Sequence, residues 1–127
     1  MKILVTGVKG QLGFDVVKEL NQRDIECRGV DIEDFDITNA KETEEFIYYY
    51  NPDAVIHCAA YTAVDKAEDN AELCKSVNTD GARNIAKACK GLDVTMMFIS
   101  TDYVFPGTGV DFYEINDKTE PLGVYGK

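Results

Sequence analysis

The chain has 127 residues, 45% of them hydrophobic, enough for one domain with a real core. Thirteen basic against twenty-three acidic side chains leave a net charge of −10. That balance excludes binding of nucleic acid or an anionic membrane through a general positive field, so an anionic ligand has to be held by local N–H groups and dipoles.

No apolar run approaches the roughly 20 residues of a membrane span, and no signal-peptide pattern opens the sequence. Cysteines at positions 27, 58, 74 and 89 make no C-x-x-C pair. They are expected to be reduced, mostly buried thiols of a cytoplasmic protein, with no disulfide framework and no metal site.

Lys2 to Thr6 is a short run rich in aliphatic and β-branched residues, the composition of a buried parallel strand. Glycines follow at 7, 10 and 13, and then a helical pattern with Leu12, Val16, Val17 and Leu20 on one face. Gly7 allows a tight turn, Gly10 lets backbone approach a pyrophosphate, and Gly13 lets the helix pack closely on the sheet. The helix N-terminus then offers unpaired N–H groups to phosphates. A second strand is expected over 25–30, ending at Asp31, followed by an acidic loop. Thr38 is placed to cap a helix over 41–50 that Asn51-Pro52 ends. A third strand spans 53–57, one helix runs from about 71 to 90 until Gly91 stops it, and a fourth strand covers 94–100.

This alternation predicts an α/β protein: a Rossmann-type, doubly wound parallel sheet with helices on both faces. Strand order 3-2-1-4 is expected, with a ligand crevice above strands 1 and 4. Such a fold usually continues to strands five and six, and PLGVYGK reads as the start of another helix. Residues 1–127 are therefore expected to be a dinucleotide-binding domain truncated after strand 4, its substrate-binding part missing. Strand 4 would be an exposed apolar edge.

Asp31 lies about twenty residues past the glycines, where a carboxylate can accept hydrogen bonds from an adenosine ribose and favour NAD. It reads equally as a solvated acid beside Glu33, Asp34 and Asp36. Thr101, placed by that strand order at the crevice, and Tyr125 have the chemistry to hold a substrate oxygen and move a proton, although Tyr125 alone also reads as a packing residue. A phenol titrates near about 10, so it needs a cation nearby to act around neutrality. His57, the only histidine, reads as a satisfied strand-end residue, and Tyr48-Tyr49-Tyr50 as a helix end packed on the sheet.

TGVKGQLG, HCAAYTAVDKAE, STDYVFPGTG and PLGVYGK, in that order, closely resemble the dTDP-4-dehydrorhamnose reductases of the extended short-chain dehydrogenase/reductase superfamily. The resemblance runs over essentially the whole chain. It implies reduction of the 4-keto group of dTDP-4-dehydro-L-rhamnose, a nucleotide sugar, with NADPH or NADH as hydride donor. It makes Thr101 the group that polarises the substrate oxygen and Tyr125 the proton donor. The lysine of the Y-x-x-x-K pattern would fall at position 129, beyond Lys127. Gly7, Gly10, Gln11, Leu12 and Gly13 match the pyrophosphate turn, and Asp31, Asp36 and Ile37 the adenosine side. Ala59, Ala60 and Tyr61 match the cofactor wall, and Thr62, Val64 and Tyr103 the substrate side. A homodimer is compatible with this resemblance. A sugar-nucleotide dehydratase would place an acidic pair after the threonine, whereas Asp102 precedes Tyr103. A non-catalytic nucleotide-binding regulatory subunit would keep the glycine turn and dispense with the lysine.

Overall fold

In the computed structural model, which describes residues 1–108 and 112–127, β1 (Lys2–Thr6) pairs on one side with β2 (Glu26–Val30) and on the other with β3 (Ala54–His57). β4 (Thr95–Phe98) pairs with the far side of β3, and every pairing is parallel. The order is therefore β2-β1-β3-β4. The expected order 3-2-1-4 is wrong, and β4 borders β3 instead of β1.

The physical reason lies in the segment after β2. Phe35 is 6% exposed and stacks on Phe46 with ring centroids 4.5 Å apart, so residues 31–39 plug the core as turns and add no strand. Helix α2 (Ala40–Tyr50) then carries the chain across to the free side of β1, where β3 docks. Ile3, Leu4 and Val5 are buried, as suits a strand with neighbours on both sides and helices on both faces. On one face Ile3 and Val5 pack with Leu20, Val16 and Val17 of α1 (Gln11–Gln22). On the other, Leu4 and Val55 meet Ile47 of α2 and Ile85, Ala88 and Cys89 of α5 (Ala82–Gly91).

The ends of α2 follow local signals in part. Asn51 takes a left-handed φ of 49° and closes α2 ahead of Pro52. The N-cap is Asn39, not Thr38: the side-chain Oδ1 of Asn39 accepts from the amides of Lys41 and Glu42 at 3.1 and 3.3 Å. Thr38 is diverted to Asp36, donating through both its amide and its hydroxyl at 2.8 Å. Of the three tyrosines only Tyr50 packs inward, under the Lys2 ammonium; Tyr48 and Tyr49 face solvent, because successive helical residues point about 100° apart.

The helix expected from 71 to 90 is interrupted. α4 (Ala71–Lys75) leads into a wide π-turn, Ser76–Gly81, before α5 begins. A short helix missed by periodicity, α3 (Val64–Asp69), precedes it. α5 ends at Gly91 as expected, although the left-handed residue beyond it is Asp93, with φ 55°. PLGVYGK forms turns, not a helix.

The four cysteines are free, Cys74 and Cys89 buried, Cys27 and Cys58 half-buried. Among the described residues β4 has a strand on one side only, and Met97 and Phe98 are more than half exposed. No helix among the described residues is long and apolar enough to cross a membrane, and among them no metal-binding cluster forms.

Candidate functional site

A crevice of about 930 Å³ opens at the carboxyl ends of β1, β2 and β3. The glycine turn forms its base. Gly7 has φ 73°, and a Cβ there would stand 2.6 Å from the Ala59 backbone, so this position requires glycine. At Gly13 a Cβ would strike the Gly7 carbonyl group, with 2.7 Å to its carbon. These two contacts press α1, β1 and the segment after β3 together.

Gly10 precedes α1, and no side chain caps the helix. The first bond within the helix runs from the Phe14 amide to the Gly10 carbonyl at 3.0 Å. The amides of Gln11, Leu12 and Gly13 are therefore left without helical acceptors, at the positive end of the dipole and on the crevice wall. This is an arrangement for a diphosphate.

Lys9 is the one cation among the described residues lining the crevice; Asp15, Asp31 and Asp36 line it too. The Lys9 ammonium pairs with Glu33, which raises the lysine pKa and lowers that of the carboxyl, in an exposed and therefore weak contact. Asp31 is tied down on both oxygens, accepting from the Lys9 amide and the Ile32 amide, each at 2.9 Å. It thus clasps the glycine turn to the end of β2 rather than standing free in solvent. Ile37 closes this side of the crevice against Gly81, where a Cβ would lie 2.8 Å from its Cδ1.

At the end of β3, His57 is 2% exposed, with Nδ1 2.8 Å from the Thr6 hydroxyl. The Ala59 amide donates to that same hydroxyl at 3.2 Å. Nε2 has no partner among the described residues, so the histidine is buried but only half satisfied. Burial pushes its pKa down to about 4. The unfolded chain then binds the extra proton between its ordinary value, about 6.5, and about 4, so stability present above that window is lost as the pH falls through it. We expect denaturant unfolding to show a loss of about 3 kcal/mol across these pH values, and the His57→Asn variant to lack that slope.

At the far end, Ile99, Ser100 and Tyr125 line the crevice. Thr101 does not. With β4 beyond β3 the threonine does not stand beside β1 as the expected order had it, and its hydroxyl donates to Asp102 at 3.2 Å while accepting from the Tyr103 amide at 3.2 Å. Tyr125 is brought in by tertiary ties. Its ring meets Tyr103 edge-to-face at 5.5 Å, and the neighbouring Val124 amide donates to Glu68 of α3 at 2.8 Å.

The model of the RmlD substrate binding domain matches residues 1–127. The chain belongs to this family. It is 37% identical over 123 residues to a dTDP-4-dehydrorhamnose reductase of Streptomyces griseus, covering 97% of this chain and 40% of that protein. The solved dTDP-4-dehydrorhamnose reductase of Clostridium acetobutylicum superposes with a TM-score of 0.96 at 40% identity, over 99% of this chain and 45% of its own. That of Bacillus anthracis, in complex with NADP, gives 0.94 at 38% identity, over 99% and 46%. The chain spans less than half the length of these relatives.

Within this RmlD domain, the expected residues Gly7, Gly10, Gln11, Leu12, Gly13, Asp31, Asp36, Ile37, Ala59, Ala60, Thr62 and Tyr125 share the crevice. Tyr61, Val64, Thr101 and Tyr103 lie off its wall. Sequence reading missed Asn78. From the π-turn its side chain accepts from the Tyr61 amide at 2.7 Å and donates to the Tyr61 carbonyl at 3.0 Å, pinning the loop that carries Ala59 and Ala60. The available signal was an amide side chain in a stretch of helix otherwise packed through Cys74, Gly81 and Ile85, where a polar group needs a partner. Leu73, Ser76 and Val77 of the same stretch also line the crevice.

Proposed function

We propose that this chain supplies the dinucleotide-binding part of an NAD(P)H-dependent nucleotide-sugar reductase that converts dTDP-4-dehydro-L-rhamnose to dTDP-L-rhamnose. The observation that carries the reading is the uncapped N-terminus of α1 behind a turn in which Gly7 and Gly13 have no room for a side chain. The names of the relatives support the choice of substrate, and the NADP held by the Bacillus anthracis protein supports the cofactor class.

In this reading the amides of Gln11, Leu12 and Gly13 hold the diphosphate, and Asp31, Asp36 and Ile37 border the adenosine end. Ala59 and Ala60 form the wall along which the cofactor lies. When bound, the dihydronicotinamide supplies a hydride to the carbonyl carbon. Tyr125 delivers the proton to the carbonyl oxygen, so the C=O bond becomes CH–OH with atoms and charge balanced. Thr101, one residue beyond Ser100 on the crevice wall, holds that oxygen once its hydroxyl turns from Asp102. The family lysine, at position 129 of a longer protein, would make the tyrosine competent at neutral pH.

Calorimetric titration of the chain with NADPH and with NADH tests the reading. Saturable one-site binding of at least one dinucleotide is expected. Binding of neither overturns it.

A further inference from the structure

Three buried groups meet where β1 and β3 end, and their hydrogen atoms can be counted. Thr6 and His57 are each 2% exposed, and they face each other in register across the two strands. The Ala59 amide is a donor and occupies one lone pair of the Thr6 oxygen. Among the described residues, the only acceptor within reach of the Thr6 hydroxyl hydrogen is His57 Nδ1, at 2.8 Å. If Nδ1 carried the histidine proton, two groups would be stranded in the interior, the Thr6 hydroxyl hydrogen and the Nε2 lone pair. If Nε2 carries it, one group is stranded, the Nε2–H itself. An imidazolium would add an uncompensated buried charge. The cost of unmade buried hydrogen bonds selects the second arrangement.

We infer that His57 is a positioning residue of the crevice: held as the neutral Nε2–H tautomer, it accepts the Thr6 hydroxyl and so orients the oxygen that fixes the Ala59 amide. Ala59 is the residue against which Gly7 packs, so the pair joins the glycine turn to the wall after β3. The ring is itself held in place, stacked on Phe98 of β4 with centroids 6.0 Å apart. The effect on ligand affinity rests on the dinucleotide reading above; the proton arrangement does not.

His57 is the only histidine, so its ring nitrogens can be assigned without ambiguity in a nitrogen-15 NMR spectrum of the labelled chain. At pH 7 the neutral Nε2–H tautomer is expected. A dominant Nδ1–H tautomer or an imidazolium overturns the inference. In titrations with NADPH and NADH, His57→Phe keeps a ring against Phe98 but offers no acceptor, and about fivefold weaker binding is expected. His57→Asn puts a carbonyl oxygen near the Nδ1 position and should restore most of the affinity. Thr6→Val removes the hydroxyl at nearly constant shape and should weaken binding as His57→Phe does. Unchanged affinity in both His57→Phe and Thr6→Val overturns the positioning role. A wild-type chain that binds neither dinucleotide defeats the functional reading, and the tautomer spectrum then decides the Thr6–His57–Ala59 arrangement on its own.

Discussion

In the longer protein to which we assign this chain, Tyr125→Phe is expected to lower kcat for keto reduction by roughly 10²- to 10⁴-fold, the range of a positioned general acid. Phenylalanine keeps the ring that meets Tyr103 edge-to-face, and the tie from the Val124 amide to Glu68 is a backbone bond that the substitution does not touch. Folding and dinucleotide affinity should therefore stay near wild type, and the loss should fall on the chemical step alone. Steady-state kinetics with a parallel binding titration separates the two. Turnover that survives the substitution would remove Tyr125 from the proton path and leave the crevice a binding site only.

Gly7→Ala should be among the most damaging single methyl additions in the molecule. The residue has φ 73°, and the new Cβ would sit 2.6 Å from both the Cα and the amide nitrogen of Ala59. A left-handed alanine costs about 1–2 kcal/mol, and overlap with backbone that has no rotamer to adjust adds about as much again. We expect about 3 kcal/mol of lost stability, a fall of about 10 °C or more in Tm, and loss of measurable dinucleotide binding. Gly91→Ala is the matched control: a Cβ there meets nothing within 4 Å, and the residue closes a helix, so the change should be neutral or slightly stabilising. Equal melting temperatures for the two variants would contradict the packing described for the glycine turn.

The elements legible in the sequence are those whose cause is local. The strand, glycine turn and helix of residues 2–22 follow from composition and from three glycines with a steric reason to be there, and Asn51 announces the end of α2 by its tolerance of a left-handed backbone. Strand order has no such local cause. Nothing in residues 31–39 shows that Phe35 will stack on Phe46 instead of joining a strand, yet that choice sends β3 to the other side of β1 and carries β4 outward with it. The expectation that Thr101 stands beside β1 falls with the expected order. The π-turn escaped for a related reason: Gly81, Ile85 and Cys89 keep the apolar spacing of an ordinary helix, and the extra residue shows only in what Asn78 reaches. Tyr125 was legible as a motif member, but its arrival at the crevice depends on Glu68 and Tyr103, which no spacing rule connects to it.

The position of β1 has a bearing on how rigidity is shared across the crevice. Its amides and carbonyls are engaged on both sides, and Leu4 and Val5 are wholly buried, so hydrogen exchange there should require opening of the whole sheet. Among the described residues β4 has one neighbour and a largely uncovered surface, and in this chain its outer amides can exchange through small local openings. The glycine turn is rooted in the first strand and Ser100 to Val104 in the second. Within residues 1–127 the half of the crevice built on the glycine turn is thus anchored in the part of the sheet that yields last, while the half nearest Thr101 hangs from the part that yields first. Substitutions along β4 of this chain should shift Ser100 and Thr101 well before they disturb the glycine turn.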